Sequence, residues 1–261
     1  MSSTEDEGQG PLYKPYDQFI LFGDSITQMS SNQELGFGFQ PALQDAYSRV
    51  LDVINRGFGG YTTAHAVKVF PKFFPTPETA TVRFLTIWFG ANDASLLKSN
   101  NGQHVPLDVY KKNLAWLVQH PAVVAQKPRI LIITPTPVNE YQLEGFDVEK
   151  GNQHPTRTNV GARLYAKAAR EVAKSLNVPV IDLWGSFMAA VGWKEGEPLV
   201  GSRELPNNER FAGLFTDGLH LTADGYRIVF DEVVKAIRTH WPDEAPGARP
   251  QVFPPWMEAP K

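Results

Sequence analysis

The chain has 261 residues, which suits one large α/β domain or two small ones. Hydrophobic residues make up 42%, charged residues 20%, and the formal net charge is -3, dispersed without long blocks of one sign; nothing here is an electrostatic footprint for nucleic acid. The chain has no cysteine, which excludes disulfide scaffolds, thiolate zinc sites and a cysteine nucleophile.

Residues 1–16 read as a flexible tail. Residues 1–10 are polar and acidic and lack the basic start and apolar run of a signal peptide. No uninterrupted apolar stretch approaches the roughly 18 residues of a membrane helix. A soluble cytoplasmic protein with no membrane span is the expectation. Residues 18–22 (QFILF) form a short apolar run that predicts a buried strand. A helix over 38–49 and a second strand over 51–54 follow. Thr62 or Thr63 caps a helix running to 73. Residues 82–89 (VRFLTIWF) predict a third strand. Pro106 opens a helix read over 106–124. Residues 129–133 (RILII) predict a fourth strand, stopped by Thr-Pro-Thr-Pro. A helix rich in Ala, Lys, Arg and Glu spans 158–176, a fifth strand 178–183, and a last helix 225–239, beginning near Thr222.

This β-α alternation predicts a single domain over 17–241, a parallel sheet covered by helices on both faces. Two stretches, 139–155 and 192–213, are long, polar and contain Gly and Pro. They read either as functional loops or as plain surface excursions. The Pro-rich tail over 242–261 is expected to be extended. Its Val252, Phe253, Trp256 and Met257 suggest packing on its own domain or on a sister subunit.

In an open parallel sheet, ligands bind beyond the carboxyl ends of the strands. Strand one is followed by Gly23-Asp24-Ser25-Ile26, strand two by Asn55-Arg56-Gly57-Phe58-Gly59-Gly60, and strand three by Gly90-Ala91-Asn92-Asp93. Asp217-Gly218-Leu219-His220 comes after the last strand and its loop. A serine hydroxyl needs a base, and a histidine needs a carboxylate to fix its tautomer. Asp217 lies three residues before His220, so one short segment can supply both. Backbone N–H groups of Ser25 and Gly60 and the amide of Asn92 can serve an oxyanion. Each block also has an ordinary reading: a turn capped by Ser25, a flexible glycine loop, or the turn pairs Asn92-Asp93 and Asp217-Gly218. The glycines lack the G-x-G-x-x-G spacing of a dinucleotide site. His65, His104, His120, His154 and His240 show no metal-ligand spacing and read as structural or surface residues. Leu96, Leu97 and Phe215 flank the blocks and are expected to line a small acyl pocket.

The four blocks resemble those of the SGNH hydrolases, the GDSL esterase/lipase family. The first block has Ile26 where that family usually has Leu. The resemblance implies Ser25, Asp217 and His220 as the catalytic triad, and Ser25, Gly60 and Asn92 as the oxyanion hole. Gly57 and Gly59 remain rival registers for the glycine. It also implies a flavodoxin-like three-layer α/β/α fold with a five-stranded parallel sheet and no metal or organic cofactor. The stretches 19–28, 55–63 and 89–94 are similar to those of the isoamyl acetate-hydrolysing esterases. That likeness implies acetate esters of small alcohols as substrates, an intracellular enzyme and a possible homodimer. No G-x-S-x-G elbow occurs, which argues against the α/β-hydrolase fold. Acyl transfer to an alcohol, a broader lipase or thioesterase activity, and a non-catalytic ligand- or partner-binding module remain alternatives.

Overall fold

A computed structural model describes residues 15–99, 101–152 and 155–259. The N-terminal tail therefore lies outside the described residues except for Pro15 and Tyr16, and His154 lies outside them too.

The chain opens with β1 (Asp17–Gly23), the short α1 (Ser25–Met29) and α2 (Phe39–Ala46). It continues through β2 (Leu51–Gly57), α3 (Thr63–Phe73) and β3 (Val82–Trp88). Then come α4 (Leu107–Val118), α5 (Pro121–Gln126), β4 (Arg129–Ile133), α6 (Glu140–Glu149) and α7 (Asn159–Ser175). β5 (Val180–Ile181), α8 (Leu183–Ala190), α9 (Glu209–Ala212) and α10 (Ala223–His240) complete it. The five strands are all parallel, in the order β2-β1-β3-β4-β5.

Alternation along each strand divides the core in two. Phe19 and Leu21 of β1, Phe84 of β3, and Leu131 and Ile133 of β4 meet Leu43 of α2, Phe187 of α8 and Val233 of α10. Ile20 and Phe22, Leu85 and Ile87, and Ile132 point the other way, onto Phe70 of α3, Leu114 of α4 and Ala169 of α7. Strands buried on both faces read as continuous apolar runs, which is why these segments are conspicuous in the sequence. The result is the expected three-layer α/β/α sandwich.

Several elements differ from their sequence reading: α1, α8 and α9 are additional helices, and β2 runs on to Gly57. The helix expected over 106–124 is two helices, because Pro121 lacks an N–H and starts a new helix at its first position. The fifth strand shrinks to two residues, since Asp182 turns from sheet to cap and accepts from the Gly185 N–H at 3.2 Å. The polar stretch 139–155 contains a real helix, α6, capped by Asn139, whose side chain accepts from the Tyr141 N–H at 3.0 Å. The C-terminal segment packs back on its own domain: the Tyr47 hydroxyl donates to the Glu244 carbonyl at 2.8 Å, and Val252 N–H to the Arg49 carbonyl at 2.9 Å. Trp256 and Met257 stay exposed.

The chain reverses direction across the sheet between β1 and β3. In this strand order a crevice opens at that switch point. α1 must lie hard against the end of β2 to reach it. A Cβ on Gly57 would stand 2.0 Å from the Gln28 nitrogen and 2.6 Å from the Thr27 carbonyl carbon, both backbone atoms of α1. Gly57→Ala is therefore expected to lower the urea unfolding midpoint, at a cost of about 1–3 kcal/mol for overpacking. An unchanged midpoint would contradict this close contact.

Candidate active site

Ser25 sits where β1 ends, at the first position of α1. Asp24 caps that helix, its carboxylate accepting from the Ile26 N–H at 2.9 Å. Burial pushes the Asp24 carboxyl up to about 6, against the lowering effect of that hydrogen bond. An N–H at the first helical position has no partner within the helix, so the Ser25 N–H faces outward from a positive helix end.

The Ser25 hydroxyl lies 2.9 Å from Nε2 of His220, and Nδ1 of His220 lies 2.6 Å from Oδ2 of Asp217. A carboxylate can only accept, so Nδ1 carries the proton and Nε2 is left to accept from the serine. The other Asp217 oxygen accepts from the N–H groups of Leu219 and His220, at 3.0 and 2.8 Å. Burial raises the Asp217 pKa. The imidazole hydrogen bond, the His220 charge and these two N–H groups outweigh that effect and hold it below the ordinary carboxylate value. Gly218 makes the tight turn possible: φ is +86°, and a Cβ would fall 2.4 Å from the Asn139 carbonyl.

Asn92 follows β3 and is buried. Its Nδ2 donates to the Tyr61 carbonyl at 2.9 Å. The three glycines of the second block separate cleanly. The Gly57 N–H donates to Oδ1 of Asn55 at 2.8 Å, and the Gly59 N–H to Oε1 of Gln28 at 2.7 Å. Among the described residues the Gly60 N–H has no such acceptor. Gly60 takes φ +75° and borders the cavity, which Gly57 and Gly59 do not.

That cavity has a volume of about 660 Å³ and holds Ser25, Gly60, Asn92, Asp217 and His220 in its wall. The structure thus brings together every residue that the four blocks nominated. Acceptor, base, nucleophile and outward N–H donors on one wall are the elements of acyl transfer. Its apolar lining is Met29, Phe146 and Leu219. This corrects the expectation for Leu96, Leu97 and Phe215, none of which borders the cavity. Leu97 is 76% exposed, and Phe215 is buried among Phe187 and Phe211 in the core. Of the two long polar stretches, the first supplies Phe146, Asp147, Lys150 and Asn152 to the wall, and the second supplies none.

Asp93 works behind the site. One oxygen accepts from the Thr63 N–H at 2.9 Å and from the Thr63 hydroxyl, tying α3 to the Asn92 loop. The other oxygen is buried with no partner among the described residues. Burial pushes its pKa up to about 7, with the Thr63 bonds opposing. His65, His104 and His120 hydrogen-bond locally, to Thr62, Ser95 and Ala122. Among the described residues no cluster of three or more His, Cys, Asp or Glu could hold a metal, and no helix is long and apolar enough to cross a membrane.

Sequence reasoning passed over Asp147, Thr156, Arg157 and Gln103, which also border the cavity. No motif spacing marks them. Thr156 and Arg157 stand at the end of a polar insertion, just before the Thr158 cap of α7, Asp147 lies within α6, and Gln103 lies in the loop between β3 and α4.

The model of the GDSL-like Lipase/Acylhydrolase family matches residues 21–228. A GDSL esterase/lipase of Arabidopsis thaliana is 34% identical over 236 residues, 88% of this chain and 89% of its own. An isoamyl acetate-hydrolyzing esterase 1 homolog of Rattus norvegicus is 34% identical over 247 residues, 93% and 88% of the two chains. The crystal structure of a lipase/acylhydrolase from Enterococcus faecalis superposes with TM-score 0.59 at 25% identity, covering 85% of this chain and 96% of that one.

The folded Asp93 keeps its proton to about pH 7, whereas its ordinary value is 3.8. The folded state therefore binds more protons than the unfolded state in between, and stability falls as pH rises through that window. Urea unfolding of wild type and Asp93→Asn between pH 4 and 8 should show the variant gaining relative stability as pH rises. Parallel profiles would contradict the raised value.

Proposed function

We propose that this chain, which belongs to the GDSL-like lipase/acylhydrolase family, cleaves short-chain carboxylic esters through an acyl-enzyme on Ser25. As a member of that family it is a serine hydrolase acting on ester bonds. The observation that carries the finer reading is the Ser25–His220 hydrogen bond of 2.9 Å at the wall of an open cavity.

Ser25 Oγ attacks the ester carbonyl carbon while His220 Nε2 takes the hydroxyl proton. The carbonyl oxygen becomes an oxyanion, stabilised by the Ser25 N–H, the Gly60 N–H and the Asn92 side-chain amide. The intermediate collapses, the carbon–alkoxide bond breaks, and His220 gives its proton to the departing alcohol. Water then attacks the acyl carbon with His220 again as base; the acyl–Oγ bond breaks, His220 returns its proton to Ser25 Oγ, and the carboxylic acid leaves. Asp217 stays ionised throughout. It holds the imidazole in the required tautomer and stabilises the imidazolium.

Acetate esters of small alcohols, such as isoamyl acetate, are the substrates of this reading. The rat relative's name supports them, and so does the limited apolar lining from Met29, Phe146 and Leu219. An intracellular location and a homodimer belong to the same reading and rest on the family resemblance.

Ser25→Ala should lower kcat on p-nitrophenyl acetate by on the order of 10⁴–10⁶. Asn92→Ala should lower it by about 10²–10³ with KM little changed. Across acyl chains, kcat/KM should fall steeply from acetyl to decanoyl. Full turnover by Ser25→Ala would end the acyl-enzyme reading; equal kcat/KM for both acyl lengths would end the short-chain reading.

A further inference from the structure

Arg157 is 5% exposed, yet among the described residues it forms no ion pair. Its four acceptors are all neutral oxygens. Nε donates to the Ala91 carbonyl at 2.6 Å, and one terminal nitrogen to the Thr156 hydroxyl at 3.0 Å. The other terminal nitrogen donates to Oδ1 of Asn92 and to Oε1 of Gln103, each at 2.8 Å. The nearest link to a carboxylate runs through the Thr156 hydroxyl, which donates to Asp147 at 2.7 Å. Burying a cation this way is expensive unless it is well hydrogen-bonded.

The charge has a defined consequence at Asn92. An amide can present either end, but a guanidinium offers donors only. The end facing Arg157 must be the oxygen, so Nδ2 is turned away. One Nδ2 hydrogen goes to the Tyr61 carbonyl, and the second is left for the cavity that Asn92 borders. The cation also withdraws electron density through the amide, which strengthens the N–H as a donor. Gln103 repeats the logic. Its Oε1 accepts from Arg157 and from Asn101, so its Nε2 donates to the Gly60 carbonyl at 3.1 Å. That bond holds Gly60 in its left-handed conformation, the one that exposes its N–H.

We propose that Arg157 is a positioning residue for the oxyanion site: it orients and polarises the Asn92 amide and, through Gln103, holds Gly60. The inference rests on the Ser25 acyl-enzyme reading above. Arg157 acts on charge that develops only in the transition state, so its loss falls on kcat and spares KM.

The test is a double-mutant cycle on p-nitrophenyl acetate. Arg157→Gln, alone, should lower kcat by roughly 10–10², bounded by the 10²–10³ of losing the oxyanion donor itself. KM should stay within about twofold. In an Asn92→Ala background the same change should lower kcat less than about fivefold, the remainder acting through Gly60. Arg157→Lys keeps the charge without the planar fork and should recover part of the loss. Thermal unfolding of every variant identifies any that fails to fold, and in that event Arg157→Lys in both backgrounds carries the cycle. Equal losses of kcat in the two backgrounds, or a loss confined to KM, would overturn the proposal while leaving Ser25-dependent turnover intact. Turnover that survives Ser25→Ala would overturn the acyl-enzyme reading, and this inference with it.

Discussion

One hydrogen bond sets the demands on this fold. The Ser25 hydroxyl and His220 Nε2 are 195 residues apart in sequence and 2.9 Å apart in space. Neither side chain can reach far, so the ends of β1 and the Asp217–His220 turn must be fixed relative to one another to a fraction of an ångström. The parallel sheet does this by placing the end of β1 at the switch point, and α10 follows the Asp217–His220 turn directly. The Tyr226 hydroxyl in α10 donates to the Ile26 carbonyl in α1 at 2.7 Å, joining the helix after the histidine to the helix that starts at the serine. The Phe146 ring stands nearly perpendicular to the imidazole, with centroids 6.0 Å apart.

Precision at Ser25 has a price in buried polar groups. Asp24, Asp93, Asn92 and Arg157 are all nearly inaccessible, and each is spent on holding a backbone or an amide in one orientation. Asp24 ends β1 and starts α1, Asp93 fastens α3 to the third block, and Arg157 spans the second and third blocks through Gln103 and Asn92. Donors fixed before the reaction need no reorganisation when charge develops. The cost appears in the raised carboxyl pKa values of Asp24 and Asp93.

Much of this was legible in the sequence because strands buried on both faces advertise themselves. The runs at 18–22, 82–89 and 129–133 carry apolar residues on both faces, interrupted only by Gln18, Arg83, Thr86 and Arg129, and the residues after the first two fall at the crevice. Asp217 and His220 were legible because one turn supplies both. The resemblance named Gly60 but left Gly57 and Gly59 as rivals; the three differ in which N–H groups Asn55 and Gln28 consume, and in that Gly60 alone borders the cavity. α6 escaped because its polar residues are spent on caps and the cavity wall rather than on a clear apolar stripe. Leu97 and Phe215 misled because adjacence to a block says nothing of side-chain direction: one points to solvent, the other into the core. Arg157 was invisible because its partners, Asn92 and Gln103, lie 65 and 54 residues away, and no motif spans that distance.

Ser25 as a nucleophile activated by His220 is the claim on which the rest turns. Reaction with a fluorophosphonate followed by peptide mass mapping tests it directly. A single phosphonyl group on the peptide carrying Ser25, formed far more slowly in His220→Ala, is the predicted result. A label on another residue, or a folded wild-type protein that takes no label, would contradict it.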